Sequence, residues 1–167
     1  MKANQMPIIN NVTRLLDSHK IKYSAYELPA EKLGALETAR LLNVDPNIVF
    51  KTIVVTREKP KKTLLVVVPG NSTVDLKLVA AALNEKKVHL PTEREAEELT
   101  GLQAGGISPL ALINKGFQVL IDSSAQNFNE IHVSGGQRGL NIKLSVADLV
   151  KLTNARFAIV SRVDENI

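Results

Sequence analysis

The sequence predicts an α+β fold, in which helices surround a mixed, mainly antiparallel sheet or a partly closed barrel. Short runs rich in β-branched residues alternate with turn-forming residues, as at Phe50–Thr56 and Thr63–Val68. Helical patterns are scattered among these runs and do not follow every strand, which favours hairpins over a doubly wound parallel sheet. With 167 residues, 44% of them hydrophobic, the chain is expected to form one domain over residues 1–167.

The first half of the chain contains four short patterned segments ahead of its first long strand. The spacing of apolar residues predicts the first segment, and a capping aspartate followed by proline predicts the last. In order, they are an amphipathic helix from Ile8 to near His19, a strand at Tyr23–Leu28, a helix at Glu37–Leu42 and a helical turn at Asp45-Pro46. The two β-branched runs then predict an antiparallel pair, joined by a hairpin loop in the charged break at 58–62.

The second half predicts three more helices and four more strands. Asp75 can cap a helix that runs through Leu83. Thr92 and Glu95 form a capping-box pattern before a helix that Gly101 can end. The remaining predicted elements are strands at Gln118–Ile121, Ile131–Ser134 and Leu140–Leu144, a helix opened by Ser145, and an edge strand at Phe157–Val160.

Composition restricts the chemistry and the location of the protein. The chain has no cysteine, which excludes a disulfide framework, a thiolate-bound metal and a cysteine nucleophile. No metal or cofactor is expected. Its net charge of +4 is compatible with a polyanionic partner and does not require one. Met1–Asn11 lacks the pattern of a signal peptide, and the longest apolar run, Leu64–Pro69, is too short to span a membrane. We therefore expect a cytoplasmic protein with no membrane partner.

The common catalytic motifs are missing from the sequence. It contains no Gly-x-Ser-x-Gly elbow, no phosphate-binding loop of the Walker type and no helical His-Glu-x-x-His motif. His132 and Ser134 fall on one face of a predicted strand, so a serine–histidine nucleophile is one hypothesis, although no third residue is evident to orient the histidine.

Lysine 51 is the first of four candidate site features. It stands in an otherwise apolar strand, where it either directs a fixed positive charge toward a phosphate or reaches solvent from the strand end. The second feature is the Gly-x-x-x-Pro loop at Gly105–Pro109, which either holds backbone N–H groups toward an oxyanion or forms an ordinary surface turn.

The other two candidate features are a glycine-rich turn and a tyrosine. Ser134–Leu140 combines three glycines, a hydroxyl and a guanidinium, so it either binds a phosphate or ribose or forms a hairpin with a solvated Arg138. Tyr26 stands near the end of a short predicted strand, where its ring either packs in the core or stacks on a base.

Taken together, these segments resemble the ordered signature of the YbaK/EbsC family of aminoacyl-tRNA deacylases. The matching stretches are Phe50-Lys51-Thr52, Gly105–Leu110, Val133–Gly136 and Arg138–Leu140, with Tyr26 upstream, and they occur in the family's order and spacing. The likeness runs from about residue 20 to residue 150. After the proline loop, many members continue with Gly-Gln-Lys-Lys, whereas this chain has Ala111–Lys115.

The resemblance implies trans-editing, in which a free-standing enzyme removes a wrong amino acid from tRNA, here cysteine mischarged onto tRNA(Pro). It implies that Lys51 is the catalytic residue and that the partners are the aminoacylated 3′ end of tRNA and prolyl-tRNA synthetase. The implied substrate-binding residues are Tyr26, Thr52, Gly105, Gly106, Ile107, Ser108, Pro109, Ser134, Gly135 and Arg138. It further implies that the thiol of the substrate attacks its own ester, while Lys51 binds a phosphate.

Two alternatives to this function stay open at the level of the sequence. On the same fold, the protein can act instead on Ala-tRNA(Pro), with water as the nucleophile. A methyl-sized difference in a pocket discriminates by only ~1–3 kcal/mol, so the residues do not decide between these substrates. The second alternative is a non-catalytic module that binds tRNA or a nucleotide without turnover.

Overall fold

Five helices and ten strands form the part of the chain that the computed structural model describes, residues 8–58 and 60–164. The helices are α1 (Asn11–Ser18), α2 (Ala35–Leu42), α3 (Leu76–Ala82), α4 (Glu93–Thr100) and α5 (Val146–Thr153). The strands are β1 (Tyr23–Glu27), β2 (Phe50–Arg57), β3 (Leu64–Pro69), β4 (Ser72–Val74), β5 (Val88–His89), β6 (Gln118–Asp122), β7 (Glu130–Ser134), β8 (Leu140–Ser145), β9 (Arg156–Ala158) and β10 (Ser161–Val163). The predictions for Met1–Asn11 and for the loop at 58–62 lie partly outside the described residues.

The described strands form three sheets that do not close into a barrel. The largest has the order β5-β2-β3-β6-β9, a second has the order β1-β8-β7, and β10 pairs with β4. Five strand pairings are antiparallel, whereas β6 runs parallel to both β3 and β9. A single parallel bridge between Val49 and His132 links the first two sheets. The predicted α+β class with a mixed, mainly antiparallel sheet is confirmed.

Strand β3 explains why the sequence contains one almost continuous apolar run. Leu65 and Val67 pack into one hydrophobic core, while Leu64, Val66 and Val68 pack into another on the opposite face of the sheet. A strand that is covered on both faces needs apolar residues at every position. The central sheet is therefore a rigid support, and β2 is held against it along residues 50–55.

The helix boundaries follow the predicted capping residues. Asp75 accepts hydrogen bonds from the backbone N–H groups of Lys77 and Leu78 at the start of α3. Thr92 and Glu95 form the reciprocal capping box of α4, and Gly101 ends that helix in a left-handed conformation with φ 71°. These local signals act within one turn, which is why a single sequence reveals them.

Three short strands were missing from the sequence prediction, and one was misplaced. β4, β5 and β10 have only two or three residues each, so none shows an alternating pattern long enough to detect. The last strand was predicted at Phe157–Val160. The observed strand, β9, begins and ends earlier, because it pairs with β6 from Arg156 to Ala158. Val160 is instead a buried residue that connects β9 to β10.

Candidate functional site

A cleft of ≈ 570 Å³ opens beside β2, and it is lined by segments from across the chain. Its floor is the β2 segment from Phe50 to Val54. Lys51, Gly105 and Ser134, which come from three of the four features selected in the sequence, all line it. This volume is within the range of small-molecule sites.

Lysine 51 is half-buried at the cleft and is held only weakly. Its Nζ atom donates one hydrogen bond of 3.4 Å to the carbonyl oxygen of Gly70. Burial lowers the pKa of the Lys51 ammonium, and the negative charge of Asp164 partly opposes that shift. This ammonium is partly desolvated and has few hydrogen bonds. An anion that entered the cleft would therefore stabilise it.

The glycine loop and the hairpin turn fit against each other. A methyl group on Gly106 would come within 2.9 Å of two backbone atoms of Gln137 and 3.0 Å of the Arg138 nitrogen. Nε of Arg138 donates a 2.7 Å hydrogen bond to the carbonyl oxygen of Ala104. Arg138 is thus half-buried and bound to protein, and it is not among the residues that line the cleft. The two segments form one continuous wall.

Within the glycine loop, Gly105 and Ile107 line the cleft and the following residues support them from behind. Ser108 is fully buried, and its hydroxyl oxygen accepts a hydrogen bond from the backbone N–H of Leu110. Pro109 occupies the first position of the helical turn that Ser108 caps. Neither Ser108 nor Pro109 lines the cleft, so their contribution to its shape is indirect.

A row of side chains crosses the β1-β8-β7 sheet on the opposite wall. Tyr26 pairs with Asn141, which pairs in turn with Ser134, and directly opposed residues share one face of a sheet. Asn141 and Ser134 line the cleft. The Ser134 hydroxyl oxygen accepts a weak 3.3 Å bond from the N–H of Gly136, which leaves its own proton free to donate.

A buried histidine lies on the same face of the sheet, two residues before Ser134. The His132 ring is paired with Asn141 through a 2.7 Å hydrogen bond from Nδ1 to Oδ1, and its centroid lies 5.5 Å from that of Tyr26. Burial lowers the pKa of His132, against the opposing effect of the Asn141 bond. Among the described residues, His132 makes no hydrogen bond to Ser134, so the geometry does not support a serine–histidine nucleophile.

Six of the predicted binding residues do not line the cleft directly. They are Tyr26, Gly106, Ser108, Pro109, Gly135 and Arg138. Sequence reasoning missed the cleft residues Thr73 and Asn141. Asn141 follows the recognised Arg138–Leu140 stretch directly and pairs with Ser134, so a register prediction for the β7–β8 hairpin would have found it.

An exposed ion pair joins two segments that line the cleft. Nζ of Lys32 lies 2.9 Å from Oε2 of Glu93, and both side chains are more than half exposed. The backbone of Lys32 also packs against Gly105, where an added methyl group would approach its Cα atom to 3.1 Å. The loop before α2 and the start of α4 therefore meet over the cleft.

These features define a class of protein. No group of three or more histidine, aspartate or glutamate side chains in the described ranges is placed to hold a metal ion. No helix of residues 8–58 or 60–164 is both long enough and apolar enough to cross a membrane. A mixed α+β fold that places one lysine, several hydroxyls and a glycine turn around a cleft of this size is typical of a domain that binds or converts a ligand.

Comparison with known proteins identifies the family. The model of the aminoacyl-tRNA editing domain matches residues 30–152. The protein EbsC of Enterococcus faecalis, provisionally named a Cys-tRNA(Pro)/Cys-tRNA(Cys) deacylase, is 35% identical over 150 residues, which are 89% of this chain and 90% of that protein. This chain belongs to the aminoacyl-tRNA editing domain family. Its coarse function is therefore aminoacyl-tRNA editing, and its substrate is an aminoacyl-tRNA, as the sequence predicted.

Two solved structures share the fold. The hypothetical protein APE2540 superposes with a TM-score of 0.83 at 24% identity, covering 92% of this chain and 100% of that one. A protein described provisionally as a trans-editing enzyme for prolyl tRNA synthetase superposes with a TM-score of 0.77 at 23% identity, covering 93% and 99%. At these identities the likeness concerns the fold.

Proposed function

We propose that this protein removes cysteine from Cys-tRNA(Pro) by holding the ester so that the substrate thiol cleaves it. The names given to EbsC and to the trans-editing structure support the choice of substrate. The absence of cysteine from the chain agrees with a mechanism whose sulfur comes from the substrate. The observation that carries the proposal is the convergence of Lys51, the glycine loop and Ser134 on one cleft.

Lysine 51 is proposed to bind a phosphate near the tRNA 3′ end. Its ammonium has one long hydrogen bond, to the Gly70 carbonyl, so it keeps donors for a ligand. A phosphate would also reverse the effect of burial on the pKa of Lys51, since an adjacent negative charge favours the ammonium form. Binding energy from this remote contact would fix the position of the reacting ester.

The glycine loop is proposed to stabilise the negative charge that develops on the ester oxygen. Within the described residues, the N–H of Gly106 is already bound to the carbonyl oxygen of Gln103, at 2.8 Å. The N–H groups of Gly105 and Ile107 have no such protein acceptor among the described residues, and both residues line the cleft. Those two groups are therefore our candidates for oxyanion donors.

The proposed reaction needs no nucleophile from the protein. The cysteine sulfur forms a bond to its own carbonyl carbon, and the bond from that carbon to the ribose oxygen breaks. The thiol proton finishes on the ribose hydroxyl, so the products are a cyclic thiolactone and free tRNA. A correctly oriented intramolecular attack gains its rate mainly from positioning, which a rigid cleft supplies.

The test is deacylation of Cys-tRNA(Pro), Ala-tRNA(Pro) and Ser-tRNA(Pro) by the purified protein and by Lys51→Ala. We expect rapid release from Cys-tRNA(Pro), slow release from the other two, and loss of activity in the variant. Faster release from Ala-tRNA(Pro) would replace the proposed substrate by alanine and the nucleophile by water. Binding of all three without release would establish the non-catalytic alternative.

Prolyl-tRNA synthetase is proposed to act together with this protein. The provisional description of the trans-editing structure, which names that synthetase, supports the proposal. If the two proteins form a complex on tRNA, adding the synthetase should restrict deacylation to tRNA(Pro). The comparison to make is the rate on Cys-tRNA(Pro) against Cys-tRNA(Cys), with and without synthetase.

A further inference from the structure

The cleft floor is a strand with one unpaired edge. β2 pairs with β3 along residues 50–55, but on its other side the described residues pair with it only near its ends. At one end Val49 bridges His132, and at the other Thr56 and Arg57 pair with β5. The segment between these contacts lines the cleft. Its backbone therefore faces the space in which the substrate is expected.

Alternation along β2 decides which backbone groups point into the cleft. In an antiparallel pair, every second residue directs both its N–H and its C=O toward the partner strand. The Val49 carbonyl accepts from Gly70 of the β3 side, and Pro69, opposite Phe50, has no N–H to give. Residues 49, 51, 53 and 55 thus face β3. Phe50 faces β7 at the Val49–His132 bridge, and Thr52 and Val54 face the cleft.

An aminoacyl group has the same backbone atoms as one residue of a strand. Its α-ammonium corresponds to the strand N–H, and its ester carbonyl corresponds to the strand C=O. We propose that the aminoacyl group binds as a one-residue strand opposite Thr52, its ammonium donating to the Thr52 carbonyl and its ester carbonyl accepting from the Thr52 N–H. The inference rests on the proposed function in taking an aminoacyl ester as the ligand.

The position of Lys51 fixes the direction of this one-residue strand. An antiparallel residue opposite Thr52 directs its carboxyl side toward the beginning of β2, where Lys51 and Phe50 lie. The ribose and its phosphate are then on the side of the Lys51 ammonium. A parallel arrangement would point the ester toward Val54, away from that charge. Lys51 therefore selects the antiparallel orientation.

The same geometry sets the position of the substrate side chain. Directly opposed residues in an antiparallel pair place their side chains on the same face of the sheet. The side chain of an L-aminoacyl group then lies beside the Thr52 hydroxyl, whereas a D-aminoacyl group would place it on the other face. Recognition through the Thr52 backbone makes the site specific for L-amino acids that have a free α-amino group.

Binding of a non-cleavable ligand tests this inference separately from catalysis. The probe is 3′-deoxy-3′-(L-cysteinylamino)adenosine 5′-phosphate, in which an amide replaces the ester, and calorimetry gives its Kd. We expect the α-N-acetyl and D-cysteinyl forms of the probe to bind at least about 10-fold more weakly. Equal affinity for the acetylated form, or no binding of the parent probe to the wild type, would overturn the inference.

A backbone substitution in the protein provides the matched test. Replacing Thr52 by its α-hydroxy analogue removes its N–H, which has no partner on β3, and weakens the Lys51 carbonyl as an acceptor, so we expect a small fall in Tm and about 3- to 10-fold weaker binding. The same replacement at Thr56 weakens the Val55 carbonyl in the same way and also removes an N–H on the side that faces His89 of β5, so it should lower Tm further without changing Kd. Equal losses of affinity in both variants, or none at Thr52, would contradict the proposed contact.

Turnover then separates this inference from the proposed function. If the wild type binds the probe with the expected preferences but releases cysteine from no tRNA, the proposed function fails and the strand-edge site stands. If it deacylates Cys-tRNA(Pro) but ignores acetylation of the α-amino group, the strand-edge site fails and the proposed function stands.

Discussion

Each end of β2 carries a cationic side chain, and the two side chains differ in how many partners they have within the protein. Lys51 has one 3.4 Å hydrogen bond and faces an open cleft. Arg57, six residues later on the same face of the strand, is only 10% exposed and binds the carboxylate of Glu85 and, at 2.8 Å, the side-chain oxygen of Gln118. Lys61 also lies 3.6 Å from the Glu85 carboxylate. The arginine has its partners within the protein, whereas the lysine keeps hydrogen-bond donors for the phosphate proposed above.

This difference is the one expected between a structural charge and the functional role proposed for Lys51. Glu85 is 5% exposed, and the hydrogen bonds and charge of Arg57 hold the pKa of its carboxyl below the ordinary range. A buried pair of this kind stabilises the fold only while both partners are present. At the cleft end, the protein leaves the ammonium poorly satisfied, which is the arrangement expected where a ligand completes the set of contacts.

The largest expected effect is at the cleft end. Lys51→Ala should reduce kcat/KM for Cys-tRNA(Pro) on the order of 10²- to 10³-fold, the usual loss for a main electrostatic contact. Its Tm should change little, because the ammonium makes one weak bond to the protein. Lys51→Arg keeps the charge and should recover part of the activity. Full activity in Lys51→Ala would contradict the proposed role of Lys51 in binding the substrate.

At the other end of the strand, the expected loss is in stability. Arg57→Met should lower the free energy of unfolding by about 3 kcal/mol, at the low end for breaking a buried pair because Lys61 remains near Glu85. Deacylation measured well below Tm should be unchanged. The control is Arg162→Met, whose exposed pair with Asp75 at 3.9 Å should contribute less than about 1 kcal/mol. Chemical denaturation measures the free energy of unfolding of both variants. A loss of deacylation activity in folded Arg57→Met would contradict a purely structural role for Arg57.

A smaller effect on activity is expected where the glycine loop packs against the Ser134–Leu140 turn. Gly106→Ala should cost about 1–3 kcal/mol, because its methyl group would collide with the backbone of Gln137 and Arg138. Separation of the loop from the turn should also lower kcat/KM about 10-fold. Gly34→Ala is the stability control, since a methyl group there meets no atom within 4 Å. Unchanged activity in Gly106→Ala would show that the two wall segments need not touch.

The smallest expected effect is on the pH dependence of stability, and it comes from His132, which bridges Val49 just before β2. Burial lowers the pKa of His132 from its ordinary value of 6.5, so below that pH the unfolded chain binds more protons than the folded protein. Stability should therefore fall as the pH drops from 7 to 5.5. His132→Gln should weaken this dependence, because it removes the buried imidazole. Thermal melts across this pH range decide the point, and an unchanged slope in His132→Gln would contradict it.

Much of the fold could be predicted because its signals are local. The capping boxes, the left-handed glycine at 101 and the two β-branched runs each act within a few residues. The parallel pairing of β6 with β3 could not be predicted in this way, because it joins Gln118 to Leu64 across more than fifty residues. Short strands such as β4 exist only because a distant strand pairs with them.

The candidate site was partly predictable for a related reason. Lys51, Gly105 and Ser134 stand in distinctive segments, and the cleft brings all three together. Asn141 and Thr73 carry no distinctive pattern, since their role depends on which strands lie beside them. The contrast between Lys51 and Arg57 was also invisible in the sequence, because Glu85, which neutralises the arginine, is far along the chain.

The pairing of β1 with β8 has a consequence for how the protein is made. Tyr23–Glu27 emerges from the ribosome more than a hundred residues before its partner, Leu140–Leu144. Contacts of such long range slow folding, because closing a large loop costs entropy before the contacts are gained. The edge of the apolar strand β3 likewise stays unpaired until its partner β6, Gln118–Asp122, has been made. The nascent chain is thus most exposed to aggregation or proteolysis until β8 has been synthesised.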